Sequence, residues 1–248
     1  MLNLLSPALF TNHRGADTPR QPSTRIWSKV KGEAMSPDGT AHAKGVTTSF
    51  ENAGDPDAVD GKLGDGCFAS GVAQSATGEG VTCAGSALCG VETGGGVGGI
   101  GTINQGLTAY ETNLKVVAGD LLCGIGQSGV LTGGVSAGLP ADGDFIGFYA
   151  IGGKIKFGYQ KAGGTLVEVP IGDIAQAGNG AWQKLGLLIN PNRPAGEFLT
   201  VYVDTKQVAT LQLAQIDADK WPTGAGFAGV AAAGGAGNID WLNVVLVA

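Results

Sequence analysis

The chain has 248 residues, 45 of them glycine and only 10 proline, with no Gly-X-Y period; this excludes a collagen-like rod and leaves room for one large core. Charged residues make up 15% and aromatic residues 6%, and a surface so poor in charge fits a component whose faces are covered by other subunits. The net charge of −6 is unevenly placed: Arg14, Arg20, Arg25, Lys29 and Lys31 against Asp17 give residues 1–32 a charge of +4 and leave −10 on the remainder, which points to an acidic protein neighbour for the first segment and makes nucleic acid a poor partner.

The opening run MLNLLSPALF lacks a basic leader and is interrupted by Pro7, so a soluble protein made in a cytosol is expected. No run approaches the roughly 20 apolar residues of a spanning helix, and no membrane partner is expected. Residues 1–32 read as an extended N-terminal docking arm. Pro7, Pro19 and Pro22 block helix and central strand, and the polar residues between them have no period. Its apolar tip would be costly to leave in water and is expected to seat in a neighbour. The candidate partner-binding residues are Leu4, Leu5 and Phe10 as pocket fillers, Arg14, Arg20 and Arg25 as carboxylate partners, and Trp27 as an anchor.

Residues 33–105 read as the loop-rich first part of a β-sandwich spanning 33–248. Glu51–Asp57 and Thr93–Gly101 are turn and loop chemistry. The glycines of the second stretch do not make a phosphate loop, because no Lys-Ser/Thr follows them. Cys67, Cys83, Cys89 and Cys123 lack paired close spacing and nearby histidine, so no metal site is expected. They read as small buried thiols, with a Cys83–Cys89 bridge as the alternative.

From Leu107 an alternation of period two sets in. Thr108, Tyr110, Thr112, Leu114 and Val116 face one way, and Ala109, Glu111, Asn113 and Lys115 the other, as in a half-buried strand. Further strands are predicted over Leu121–Ile125, Phe145–Ala150, Lys154–Gln160, Thr165–Val169, Trp182–Ile189, Leu199–Val203, Gln207–Leu213, Gly226–Ala231 and Ile239–Val247. Turns are predicted at Gly152-Gly153, Gly163-Gly164 and Asp204-Thr205. One helix is predicted, Ala214–Lys220, stopped by Pro222. The fold class is all-β: an antiparallel sandwich.

The order Phe145-Ile146-Gly147-Phe148-Tyr149, then Trp182-Gln183-Lys184-Leu185, then Val201-Tyr202-Val203-Asp204 resembles the concanavalin A/laminin-G-like jelly roll. More closely, with a short helix over Ile216–Trp221 and a last strand opening at Asp240-Trp241, it is similar to the decoration, or cement, proteins of tailed bacteriophages. The resemblance covers residues 107–248. It implies a virion protein on the outer capsid surface, assembled in the host cytoplasm as a homotrimer. Its partner would be the major capsid protein, and it brings no catalytic residue, cofactor or metal.

Enzymatic readings find little support in the residues. The glutamates are isolated, with no E-x-D-x-x-E strand to supply a glycosidase acid pair. Asp142-Gly143-Asp144 reads as a solvated turn, with calcium as its functional alternative. Gly134-Val135-Ser136-Ala137-Gly138 spells a nucleophile elbow but has no histidine downstream. The alternative to capsid binding is a lectin-like carbohydrate-binding module, with glycan as partner. Trp182 and Trp241 read as core residues, and Trp221 as closing one end of the sandwich.

Overall fold

The computed structural model describes residues 43–49, 62–63, 67–74, 81–92, 107–127, 135–136, 139–140, 142–175, 181–223, 227–231 and 235–247. The first strands are β1 (Ala43–Ser49), β2 (Lys62–Leu63), β3 (Cys67–Gln74) and β4 (Val81–Glu92). Next come β5 (Leu107–Ala118), β6 (Leu121–Gly126), β7 (Val135–Ser136) and β8 (Leu139–Pro140). They are followed by β9 (Phe145–Ile151), β10 (Lys154–Gln160), β11 (Val167–Ala175) and β12 (Gln183–Ile189). The chain closes with β13 (Leu199–Val203), β14 (Lys206–Leu211), β15 (Phe227–Ala231) and β16 (Ala236–Val247). Among the described residues there is no α-helix.

The hydrogen-bonded order β11-β10-β9-β6-β15-β4-β16-β5-β12-β13-β14 is antiparallel throughout and folds over on itself into a jelly-roll sandwich. The long strand β4 serves both layers: Leu88–Glu92 pairs β15, and Val81–Ala84 pairs β16. The layers meet through side chains. Phe148, Phe157, Tyr159, Leu121 and Ile125 of the first pack with Tyr110, Leu114, Leu185, Leu187 and Val201 of the second. The Tyr110 hydroxyl crosses between them to donate to the Gly229 carbonyl at 3.0 Å, which gives the buried phenol a partner. Trp221 is buried at one end of the core, 5.0 Å from the Tyr159 ring and 5.5 Å from that of Phe198.

Most predicted strands stand within a residue or two of their expected bounds, and Asp204-Thr205 turns β13 into β14 with both residues at positive φ, 48° and 68°. Several expectations need correction. The described residues of 33–105 form four strands, and β4 lies inside the sheet rather than in loops. Its residues mix small ones (Gly85, Ser86, Gly90) with apolar ones, a weak pattern that a glycine-rich background hides. The predicted helix over 214–220 reduces to a 3-10 turn at Leu213–Gln215. Seven residues cannot repay helix nucleation. Instead the Tyr159 hydroxyl takes the Asp217 N–H, and Asp217 Oδ1 takes that of Asp219. In β5 both faces are buried, Glu111 at 3% exposure and Asn113 at 4%. A period of two reports which side faces the core; it does not require the other side to meet water.

Cys83 is a buried thiol in no disulfide, so it forms no bridge to Cys89; its Sγ lies 3.9 Å from the Val230 carbonyl. Burial pushes the Cys123 thiol up to about 12, offset in part by the Tyr110 hydroxyl and the Phe148 backbone. Both thiols are therefore expected to resist iodoacetamide in the native protein at pH 8 and to react on unfolding in urea, read by intact mass. The raised value also fixes a sign. The stabilisation from a neutral Cys123 is complete below the ordinary thiol value of 9.0 and is lost as pH rises toward 12.

Candidate functional site

At the outer edge of the first layer, the sequence Val-Glu-Val-Pro-Ile-Gly-Asp-Ile-Ala forms β11. Pro170 has no N–H to give the ladder, and Gly172 sits at φ +88° with nothing within 4 Å of a β-carbon built on it. The pairing with β10 breaks accordingly: Phe157 faces Val169, but Ile155 faces Ile174. Four residues, Pro170 to Asp173, thus stand opposite Lys156 in an enlarged β-bulge. Ile171 turns into the core at 7% exposure and pegs the bulge in place.

Beside this bulge lies an open cleft of about 360 Å³, at the small end for ligand sites. Its walls are two ion pairs. Lys154 Nζ stands 2.7 Å from Asp173 Oδ1, and Lys156 Nζ stands 2.9 Å from Glu168 Oε2. The buried Tyr149 donates its hydroxyl to the same Glu168 oxygen at 3.0 Å. Lys156, and after it Tyr149, hold the Glu168 carboxyl below the usual carboxylate range, against the opposing effect of burial. Burial and Glu168 together raise the Tyr149 phenol, which stays a protonated donor. Pro170 lies exposed beside these groups. All four charged side chains are more than a third exposed, and exposed pairs of this kind add at most about 1 kcal/mol to stability.

The sequence-predicted sites fare differently. Leu4, Leu5, Phe10, Arg14, Arg20, Arg25 and Trp27 lie outside the described residues, as does the 93–101 glycine stretch. Asp142-Gly143-Asp144 is a solvated turn only at Asp142. Asp144 is buried, its Oδ1 accepts the Ala162 N–H at 2.9 Å, and Asp142 Oδ1 accepts that of Gly163 at 2.8 Å. These carboxylates pin the neighbouring hairpin, and no cluster of three metal-ligating side chains occurs among the described residues. Ser136 sits in a two-stranded ribbon, β7 with β8, and not on a strand-to-helix turn. Trp221 does close the sandwich end, whereas Trp182 is half-buried instead of a core residue, with Lys115 Nζ 5.3 Å from its ring centroid. It stands one position before β12, where the strand frays from the core and a cation can cover the indole.

Sequence reasoning missed the cleft. Its signal was Pro170 two residues before Gly172, within a run otherwise fit for a strand, with Lys154 and Lys156 alternating on the strand before it.

No protein family matches the chain by its sequence profile, and no curated protein matches it. Solved structures do resemble it. The carbohydrate recognition domain of Emp47p is 11% identical, with a TM-score of 0.50 over 87% of this chain and 98% of that one. A protein of unknown function from Shewanella oneidensis MR-1 is 14% identical, with a TM-score of 0.45 over 92% of this chain and 96% of its own. The galectin LEC-6 of Caenorhabditis elegans is 10% identical, with a TM-score of 0.36 over 58% of this chain and 86% of its own. At these identities the first likeness speaks for the fold alone: the chain is an all-β jelly roll.

Proposed function

We propose that this protein is a non-catalytic, lectin-like module that binds carbohydrate in the cleft between β10 and β11. The observation that carries the reading is the cleft itself. Paired ammonium and carboxylate groups flank the exposed Pro170 on a sheet edge, which is how a site offers polar contacts to hydroxyls and an apolar patch to the C–H face of a sugar ring. The likeness to a domain described as a carbohydrate recognition domain supports it at the level of fold. On the outward face of β5, Glu111 is buried and flanked in register by Gly186 and Asn243. A glycosidase would need a second acid there.

A glycan array probed with the wild type and with Lys154→Ala/Lys156→Ala tests the reading. The wild type is expected to bind, and the double variant to lose on the order of tenfold or more in affinity, since hydrogen bonds to charged groups contribute about 1.5–3 kcal/mol. Its melting curve should barely move. Equal binding by both proteins would sink the assignment to this cleft. Binding should also be flat through neutral pH. Glu168 is held below its ordinary value of 4.5, so its charge, and the pair it anchors, are lost only as pH falls through that lowered value.

A second reading keeps the protein on a virion, as a decoration subunit clasping major capsid protein through its arm. It is favoured by the segregation of charge, +4 on residues 1–32 against −10 on the rest. Leu4, Leu5, Phe10 and Trp27 would fill pockets, and Arg14, Arg20 and Arg25 would meet acidic groups. Deleting residues 1–30 should then abolish particle binding while leaving the sandwich folded.

A further inference from the structure

We infer that the ligand of the β10–β11 cleft is a neutral saccharide, held through vicinal hydroxyl pairs by the two ion pairs directly and without a metal ion. The inference rests on the carbohydrate reading above and narrows it. The walls hold two ammonium and two carboxylate groups, Lys154 with Asp173 and Lys156 with Glu168, for no net charge. Each pair leaves capacity unspent. Glu168 accepts both Tyr149 and Lys156 on Oε2, and Asp173 meets Lys154 with Oδ1. Oε1 and Oδ2 take no bond among the described residues. Each ammonium carries three N–H donors, of which one is engaged with its partner.

An ammonium and a carboxylate 2.7–2.9 Å apart present a donor and an acceptor side by side. Two neighbouring hydroxyls of a sugar ring present the complement, each giving its proton to the carboxylate side and accepting from the ammonium side. Two such pairs flanking Pro170 would read two hydroxyl-bearing edges of one ring or of two linked rings. An anionic sugar gains little here, because each lysine it approaches has a carboxylate within 3 Å that repels it. A calcium-bridged mode gains little too. The cation would have to displace both ammonium groups, and the described residues hold no third carboxylate to complete a site.

Titration calorimetry on the full chain tests this. The probes are neutral oligosaccharides ending in mannose, glucose or galactose, set against glucuronic acid- and sialic acid-terminated ones, each with EDTA and again with added calcium. Neutral ligands are expected to bind equally well in EDTA and in calcium. Glu168→Gln and Asp173→Asn are each expected to weaken binding on the order of tenfold without lowering the melting temperature. Binding confined to the acidic glycans, or abolished by EDTA, would overturn the inference and leave the carbohydrate reading standing. Neutral binding that both variants retain in full would overturn the ion-pair grip. No heat with any glycan would overturn inference and reading together.

Discussion

Valine at position 147 is expected to leave no folded protein. Gly147 in β9 faces Gly124 in β6, and the two strands approach more closely there than side chains permit. A β-carbon built on Gly147 falls 2.3 Å from the Cys123 carbonyl oxygen and 2.7 Å from the Gly124 Cα. One built on Gly124 falls 2.3 Å from the Ile146 carbonyl oxygen. These obstacles are backbone, which no rotamer change can clear. The β6–β9 ladder lies in the middle of the first layer, with β10 and β11 hung beyond it, so losing it detaches the cleft as well. The cost should exceed about 4 kcal/mol, a large share of a domain's total stability. Gly152→Ala is the contrast. That glycine has φ +56° and open space around a built β-carbon, so only the left-handed backbone is charged, about 1–2 kcal/mol. Circular dichroism and thermal melting of both variants decide the matter; a cooperative native-like melt for Gly147→Val would refute the close-approach argument.

Trp221→Ala is expected to destabilise the protein by about 3–5 kcal/mol in urea unfolding, in the range found for large aromatic truncations. Trp221 is 3% exposed, wedged between Tyr159 of β10 and Phe198 just before β13, and so joins the two layers at one end. The loss comprises its buried apolar area and the cavity left between two rings that the strands hold in place. Tyr159 would also lose part of the packing that positions its hydroxyl on the Asp217 N–H. A change below about 1 kcal/mol would mean that the end of the sandwich collapses readily around the gap.

The later strands were legible because β-branched and aromatic residues at a period of two, bounded by glycine turns, have few other ways to fold. Leu199–Val203 and Lys154–Gln160 stand where the pattern puts them. β4 was not legible, since Ala84, Gly85, Ser86 and Gly90 give the alternation little contrast, and two of its pairing partners, β15 and β16, lie far along the chain. Trp182 was misjudged for a related reason. Strand membership implies burial only where a second layer covers the residue, and Trp182 lies just outside the ladder. The cleft escaped notice because it comes from a register break between two strands, a property of the pair that neither strand shows alone. Pro170 looked like the end of a strand, whereas β11 resumes after the bulge, held by Ile171 in the core and by Ile174 opposite Ile155.

On the proposed reading, saccharide binds at the edge between β10 and β11. Backbone amide NMR of the protein titrated with the glycan that binds best on the array tests it most directly. Shifts are expected to concentrate at residues 154–156 and 168–173, with Gly152 and the Asp204-Thr205 turn unmoved. Shifts clustered about Trp182 and Lys115, or none at saturating ligand, would contradict it.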